Sequence, residues 1–222
     1  MFRYSRYALL VLCSVLAGCN RDSQTKAMAQ AQPNPTAPDL RPVILAFGDS
    51  LTAGHGVVHS ESYPSRLQQE LERLGYKYRV VNAGISGDTT GGGLSRISSY
   101  LEDKPAIIIL ELGANDGLRG IPVRESRNNL EQMILKSQYV GTKVVLAGMT
   151  LPRNYGPDYI HSFEQMYTDL AMQYRAVLIP FFLEGVGGQP QLNLDDGIHP
   201  TGEGYKIVSQ NVLRWLEPLL ER

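Results

Sequence analysis

Cysteine is nearly absent from this 222-residue sequence, and the two that are present, Cys13 and Cys19, both lie near the amino terminus. The remainder of the chain cannot form an internal disulfide, so its stability must come from burial of an apolar core. Basic tracts and interleaved basic and aromatic residues are also missing, and the formal net charge is only −1. Because nucleic-acid binding requires clustered positive charge, this composition argues against a nucleic-acid partner.

The first 18 residues have the pattern of a secretory signal peptide. Arg3 and Arg6 precede an apolar run over residues 8–17, which is too short to span a membrane as a mature helix. The run leads into LAGC, which resembles the lipobox of bacterial lipoproteins, whose cysteine is lipidated and becomes the first residue after cleavage. We therefore expect a lipid on Cys19. The alternative is ordinary signal cleavage near Gly18, with the cysteine incidental.

The next segment, residues 20–40, is predicted to be a flexible tether. It is polar, carries alanine, glutamine and proline, and has no hydrophobic period, so it cannot bury enough surface to order itself. A folded domain is expected over residues 41–222. Asn20, rather than an aspartate, follows Cys19, and by resemblance to bacterial sorting rules this favours the outer membrane. We expect a lipid-anchored protein of the bacterial cell envelope, on the periplasmic face of the outer membrane.

Apolar runs alternate with amphipathic stretches in the rest of the chain. Strands are predicted at 43–47, 78–84, 106–113, 143–148 and 176–182, and helices at 63–75, 94–103, 123–141, 159–174 and 201–220. Five short, continuously apolar strands separated by helices indicate a parallel sheet with helices on both faces. In such α/β folds the working residues lie at the carboxyl ends of the strands.

Ser50 follows the first predicted strand and is a candidate nucleophile, although serine at this position could also cap a helix. A serine hydroxyl needs a base within hydrogen-bond reach. His199 is the best of the four histidines, because Asp196 precedes it by three residues in a turn. At this spacing the carboxylate can bind Nδ1–H and leave Nε2 free to take the serine proton. Asp195, which precedes His199 by four residues, is a less suitable partner for the imidazole. The alternative is a turn-forming Asp196 and a surface histidine.

A serine nucleophile also requires hydrogen-bond donors for the negative charge of a tetrahedral intermediate. Three candidates follow the first three strands: the backbone N–H of Ser50, the backbone N–H of Gly84 and the side-chain amide of Asn115. Glycine lets a backbone donor approach a ligand closely. Taken singly, Gly84 could be a turn glycine and Asn115 an Asx-turn residue. Their occurrence after successive strands favours an oxyanion site.

Four blocks of sequence resemble those of the GDSL, or SGNH, hydrolases: FGDSLTAGHG, NAGISGDTT, ELGANDGLRG and DGIHPT. The resemblance extends over about residues 42–220, in the expected order, and is closest to the bacterial thioesterase, lysophospholipase and arylesterase branch. It implies a three-layer, flavodoxin-like fold with strand order 2-1-3-4-5. It also implies Ser50 as nucleophile, His199 as base and Asp196 as its orienting partner. The implied oxyanion hole comprises Ser50, Gly84 and Asn115, without a metal or cofactor.

The same resemblance implies acyl esters, thioesters, lysophospholipids or aryl esters as substrates. The segment TLPRNYGPDY at 150–159 is predicted to form one wall of a groove for the acyl chain, with Pro152 and Tyr155 facing the substrate. The segment 85–90 is predicted to form the other wall, and Asp49 and Ile85 are expected as further substrate contacts. Either segment could instead be an ordinary surface loop. His55 stands where relatives often carry tyrosine, and residues 90–93 contain an extra glycine. Because both positions flank the expected groove, the preferred length of the acyl chain is not predicted.

Three other functions compete with this hypothesis. A carbohydrate O-deacetylase of the same fold would share the four blocks. A non-catalytic lipoprotein that uses the fold as a binding module would be expected to lack a member of the triad, yet Ser50, Asp196 and His199 are all present. A phosphate-binding role for GDTTGGG is disfavoured because the segment lacks the lysine of a phosphate-binding loop. The oligomeric state is not predicted.

Overall fold

Strands form where the sequence has short runs of apolar, mostly β-branched residues. A computed structural model, which describes residues 39–222, has five strands there: β1 Val43–Gly48, β2 Arg79–Gly84, β3 Ile107–Glu111, β4 Lys143–Ala147 and β5 Val177–Ile179. The seven α-helices in that range are α1 Ser50–Ala53, α2 Tyr63–Arg73, α3 Thr90–Leu101, α4 Ala114–Leu118, α5 Val123–Tyr139, α6 Pro157–Tyr174 and α7 Gly202–Leu216. The predicted signal peptide, Cys19 and the tether up to residue 38 lie outside the described residues.

The strands form one parallel sheet in the order β2-β1-β3-β4-β5. This confirms the predicted topology. All five residues of β3 are buried, and successive side chains of a strand point to opposite faces, so both faces of the sheet are covered. Helix α2 packs against α7, while α5 packs between α3 and α6.

Two boundaries and two short helices differ from the sequence prediction for local reasons. Helix α3 begins at Thr90 rather than at residue 94, because the side chain of Thr89 accepts the N–H of Gly92 and caps the helix. Strand β5 ends at Ile179, before Pro180, which has no N–H for the ladder. The short helices α1 and α4 were not predicted, since four or five residues are too few to show a helical period.

The register of the sheet brings three polar loops to one level. Gly48 at the end of β1 pairs with Gly84 at the end of β2 and with Glu111 at the end of β3. The segments that follow these strands therefore leave the sheet side by side at its carboxyl edge. Within residues 39–222, no helix has the length and apolar character needed to cross a membrane.

Candidate active site

Ser50 is held at a sharp strand-to-helix turn. It is the first residue of α1, directly after β1 and Asp49, whose side chain accepts the N–H of Leu51 at 3.0 Å. Helix α1 ends after one turn at Gly54, which has a left-handed conformation with φ of 83°. Asp49, not Ser50, is therefore the cap of this helix, and the serine hydroxyl is left available for other contacts.

Two hydrogen bonds join Ser50 to a histidine and an aspartate from the other end of the domain. Nε2 of His199 lies 2.8 Å from Oγ of Ser50, across 149 positions of sequence. Nδ1 of His199 lies 2.7 Å from Oδ2 of Asp196. This arrangement is the one that the three-residue spacing predicts, with Nδ1–H donating to the carboxylate and Nε2 free to accept the serine proton.

The turn that carries the histidine is stabilised by its own aspartate. Oδ1 of Asp196 accepts the backbone N–H groups of Ile198 at 2.8 Å and His199 at 2.9 Å. Partial burial would raise the pKa of Asp196, but these bonds and the imidazole lower it to about 2. The carboxylate is consequently ionised at neutral pH and suited to stabilise an imidazolium. Asp195 is exposed and contributes no hydrogen bond to the imidazole.

The structure corrects one predicted member of the oxyanion site. The N–H of Gly84 donates to Oδ1 of Asn82 at 2.9 Å, within the end of β2. A Cβ at residue 84 would lie only 2.1 Å from the backbone N of Ala53. Glycine is thus required there for the close packing of β2 against α1. The N–H of Gly84 is thus used within the protein, and Gly84 does not line the cavity around Ser50.

Gly87 occupies the position that was predicted for Gly84. It lines a cavity of about 270 Å³ together with Ser50, Asn115 and His199. Its φ of 81° is a conformation that favours glycine. Among residues 39–222, the backbone N–H groups of Ser50 and Gly87 have no hydrogen-bond acceptor. Sequence reasoning missed Gly87 because NAGISGDTT contains two glycines, and only the register of β2 decides which one leaves the sheet.

Asn115 is fixed in place by Asp49 and the 85–89 loop. Its Nδ2 donates to Oδ2 of Asp49 at 3.0 Å and to the carbonyl oxygen of Asp88 at 3.0 Å. Asp49 was predicted to contact substrate, but it is 1% exposed and both of its carboxylate oxygens are bound within the protein. The structure instead gives Asp49 the position of a residue that orients the amide of Asn115.

A second acid, Glu111, is buried beneath Asp49. Its Oε2 accepts the hydroxyl of Thr52 at 2.7 Å and the N–H of Asp49 at 3.3 Å. Within the described residues Oε1 of Glu111 has no hydrogen-bond partner. Burial raises the pKa of Glu111 well above its ordinary value, and the charge of Asp49 raises it further. Burial likewise raises the pKa of Asp49 to about 6. The only sequence signal for this pair of buried acids was Glu111 itself, a single acidic residue in the apolar run of β3.

Arg96 of α3 ties the loops of the site together. Its Nε lies 2.7 Å from Oδ2 of Asp88, and its Nη1 and Nη2 donate to the carbonyl oxygens of Ala83 and Gly48 at 2.9 and 3.0 Å. The guanidinium also lies over the ring of Phe47, 3.9 Å from its centroid. One largely buried cation therefore links the ends of β1 and β2 to the loop that carries Gly87. No local pattern in the sequence indicates these contacts.

An apolar groove adjoins the catalytic cavity. It has a volume of about 630 Å³ and shares four lining residues with the cavity around Ser50: Leu51, Ala114, Leu118 and Ile198. Its further apolar walls are formed by Met149, Leu151, Pro152, Phe181 and Leu183. Such a lining can accommodate a hydrocarbon chain that extends from a carbonyl group at Ser50.

The predicted walls of this groove are only partly the residues that line it. Pro152 lines the groove, whereas Tyr155 lines neither cavity. The hydroxyl of Tyr155 donates to the carbonyl oxygen of Leu118 at 2.8 Å, so it supports a groove residue from outside. Ile85 is 47% exposed and also lies outside both cavities. Ser86 and Gly87, from the same predicted wall, line the catalytic cavity.

A serine hydroxyl, an imidazole and a carboxylate joined in this way at the carboxyl edge of a doubly wound sheet define a serine hydrolase. The chain belongs to the GDSL-like Lipase/Acylhydrolase family, whose sequence profile matches residues 46–207.

Relatives of known name agree with this family. Esterase TesA of Pseudomonas aeruginosa is 47% identical over 178 residues, which are 80% of this chain and 89% of that protein. Thioesterase 1/protease 1/lysophospholipase L1 of Escherichia coli K12 is 36% identical over 178 residues, 80% of this chain and 84% of that protein. A crystal structure of TesA superposes with a TM-score of 0.78 at 46% identity, covering 80% of this chain and 99% of that one.

Proposed function

We propose that this protein hydrolyses carboxylic esters and thioesters of acyl chains through an acyl-enzyme on Ser50. The observation that carries the proposal is the hydrogen-bonded series from Ser50 through His199 to Asp196, with an apolar groove beside the serine. The names of the relatives, an esterase and a thioesterase/lysophospholipase, support the same substrate class.

In the first half of the reaction, Oγ of Ser50 attacks the substrate carbonyl carbon while its proton passes to Nε2 of His199. Asp196 stays ionised and stabilises the imidazolium. The carbonyl oxygen becomes an oxyanion, for which the N–H groups of Ser50 and Gly87 are the donors. The amide of Asn115 becomes a third donor when one of its two N–H groups turns from the carbonyl oxygen of Asp88 to the oxyanion. The intermediate then collapses, and the bond to the leaving group breaks. The proton on His199 goes to the departing alkoxide, phenolate or thiolate.

In the second half, His199 takes a proton from water as the water oxygen attacks the acyl-enzyme carbonyl. Collapse of this second intermediate breaks the bond to Oγ and returns the proton to Ser50. The products are the carboxylic acid and the regenerated enzyme.

The groove favours substrates with an acyl chain longer than acetyl. Most of the residues that line its volume of about 630 Å³ are apolar, with Thr150 and Arg153 as the exceptions. Burial of each methylene against the apolar residues contributes about 0.8 kcal/mol. A sugar O-acetyl group would leave most of this surface without a contact. We therefore assign the natural substrate to medium- or long-chain acyl esters, including lysophospholipids, rather than to acetylated carbohydrates.

We further propose that Cys19 carries a lipid and holds residues 41–222 at the periplasmic face of the bacterial outer membrane. The LAGC sequence, with the expected cleavage site between Gly18 and Cys19, and the asparagine at position 20 support this. Metabolic labelling with an alkynyl fatty acid should mark the wild-type chain and not Cys19→Ser. Recovery of the label on both chains, or of the wild-type chain in the soluble periplasmic fraction alone, would contradict the anchor.

Hydrolysis should be measured across p-nitrophenyl esters of increasing acyl length, acyl-CoA thioesters, lysophosphatidylcholine and acetylated xylan. We expect activity to rise from acetyl to longer acyl chains, and Ser50→Ala to lose at least about a thousandfold in kcat. A fluorophosphonate should form an adduct on Ser50 of the wild type. If the fluorophosphonate labels a residue other than Ser50, the proposed mechanism is refuted. If acetylated xylan is the preferred substrate, the substrate assignment is refuted.

A further inference from the structure

His55 lies against the proposed catalytic histidine although the hydrolytic mechanism does not use it. Its side chain is exposed, lines the catalytic cavity and makes no hydrogen bond to any of residues 39–222. The centroid of its ring lies 4.5 Å from that of His199, with the planes inclined at 45°. A nitrogen of His55, a nitrogen of His199 and a carboxylate oxygen of Asp196 all lie within 4.8 Å of one another.

The fold holds His55 in this position from two sides. Its backbone N–H donates to the carbonyl oxygen of Ser50 at 3.0 Å. The next residue, Gly56, has a φ of 77°, and a Cβ there would lie 2.3 Å from Cδ1 of Leu194. The segment after α1 is therefore packed directly on the loop that carries Asp196 and His199. The proximity of the two imidazoles follows from this packing of backbone segments.

We propose that His55, His199 and Asp196 form an inhibitory binding site for Zn²⁺. Two imidazole nitrogens and a carboxylate oxygen are the ligand types that zinc prefers, and three protein ligands leave one position for water. At zinc–ligand distances of about 2.1 Å, ligand atoms in a tetrahedral site are about 3.4 Å apart. Atoms that start within 4.8 Å reach this geometry by side-chain rotation of the exposed His55 and of Asp196, whose side chain is 40% exposed.

Zinc at this site is incompatible with the hydrolytic cycle. Each ring nitrogen of His199 already has a partner, Ser50 on Nε2 and Asp196 on Nδ1. A metal on Nε2 occupies the lone pair that must accept the serine proton. A metal on Nδ1 removes the hydrogen bond that sets the tautomer. Either mode stops proton transfer, and removal of the metal by a chelator restores it.

The inhibition rests on the proposed function of His199, whereas the binding of zinc does not. Both are therefore measured on untagged full-length protein in detergent, after removal of metal with a chelator. In the activity arm, ZnCl₂ is titrated against hydrolysis of a p-nitrophenyl ester. We expect activity to fall by more than tenfold and to return when the chelator is added back.

The variant His55→Tyr keeps an aromatic ring against His199 and removes the ligand nitrogen. It should need at least about tenfold more Zn²⁺ for half-inhibition, relative to its own activity without metal. His59 and His161 are exposed histidines elsewhere on the domain, so His59→Tyr and His161→Tyr serve as matched controls and should behave as wild type. Equal half-inhibition in wild type and His55→Tyr would overturn the site.

In the binding arm, calorimetry with Zn²⁺ and absorbance with Co²⁺ are applied to Ser50→Ala, which retains all three ligands. One metal per chain should bind, and adding His55→Tyr should weaken it at least about tenfold. Unchanged binding in the double variant would overturn the proposal. Binding that depends on His55 but leaves hydrolysis unaffected would overturn the inhibitory role. If the protein does not hydrolyse esters but still binds zinc through His55, the proposed function is refuted and the zinc site is not.

Discussion

Replacing Asp49 with asparagine should remove part of the pH dependence of the free energy of unfolding. Asp49 is 1% exposed, and its burial raises its pKa from the ordinary 3.8 to about 6. In the folded state Asp49 thus keeps its proton at pH values where the unfolded chain has lost it. Folding is favoured by this difference below about pH 4, and the advantage is lost as the pH rises through about 6.

The size of the effect follows from the pKa change. A rise from 3.8 to about 6 corresponds to about 3 kcal/mol of stability, of which about 2 kcal/mol is lost between pH 4.5 and pH 7.5. Asparagine has no charge to titrate, so the variant should not show this loss. Its Oδ1 can still cap α1 by accepting the N–H of Leu51. The Nδ2 of the new asparagine would face Nδ2 of Asn115, and two donors cannot bond to each other. This adds a destabilisation that does not vary with pH and loosens the side-chain amide of Asn115.

Urea unfolding of wild type and Asp49→Asn, followed by circular dichroism at pH 4.5, 6 and 7.5, measures this difference. The free energy of unfolding of the variant relative to wild type should increase by about 2 kcal/mol from pH 4.5 to 7.5. Asp103→Asn, at an exposed position outside the site, is the matched control and should follow the wild type. Parallel pH curves for wild type and Asp49→Asn would refute the assignment of a buried, proton-retaining acid beneath Ser50.

Three further changes test other parts of the site. Asp196→Asn should lower kcat by about 10⁴-fold at neutral pH, because an amide favours the wrong imidazole tautomer; a loss below tenfold would contradict its orienting role. Arg96→Met leaves the largely buried carboxylate of Asp88 without its partner and should destabilise the domain by about 3 kcal/mol in urea unfolding. Arg96→Met should also lower kcat. In Arg96→Lys, a larger fraction of the lost stability than of the lost kcat should return, and equal recovery of the two would argue against a role of Arg96 in positioning the loops. Tyr155→Ala should change the preference along an acyl-ester series by releasing the carbonyl of Leu118, whereas an unchanged profile would exclude that role.

Local sequence was sufficient for the elements whose signals are local. The run VILAF covers all of β1 except Gly48, and the runs AIIILELG and KVVLAG contain β3 and β4. Continuous apolar residues of this kind can be buried only when both faces of a sheet are covered. The pair of Asp196 and His199 could be identified for a similar reason. A carboxylate three residues before an imidazole, in a turn with a glycine at position 197, reaches Nδ1 without help from distant parts of the chain.

Long-range packing decided the features that sequence reasoning missed. Gly84 and Gly87 are equivalent in the sequence, and the pairing of Gly84 with Gly48 in the sheet removes the first from the site and leaves the second at the cavity. The contacts of Arg96 with two strand ends and with Asp88 join segments that carry no mutual pattern. The placement of His55 beside His199 likewise depends on two loops packing together.

The amino-acid sequence by itself indicated the parallel sheet with helices on both faces, the candidate nucleophile Ser50 and the partnership of Asp196 with His199, because periodicity and short spacings act through neighbouring residues, whereas the order of the strands in the sheet was implied only by the resemblance to the GDSL hydrolases. Only the tertiary structure decided which glycine lines the cavity around Ser50, which acids are buried beneath Ser50 and which imidazole borders that of His199. Each of these depends on the register between strands or on contact between loops, and neither is encoded in any single stretch of the chain.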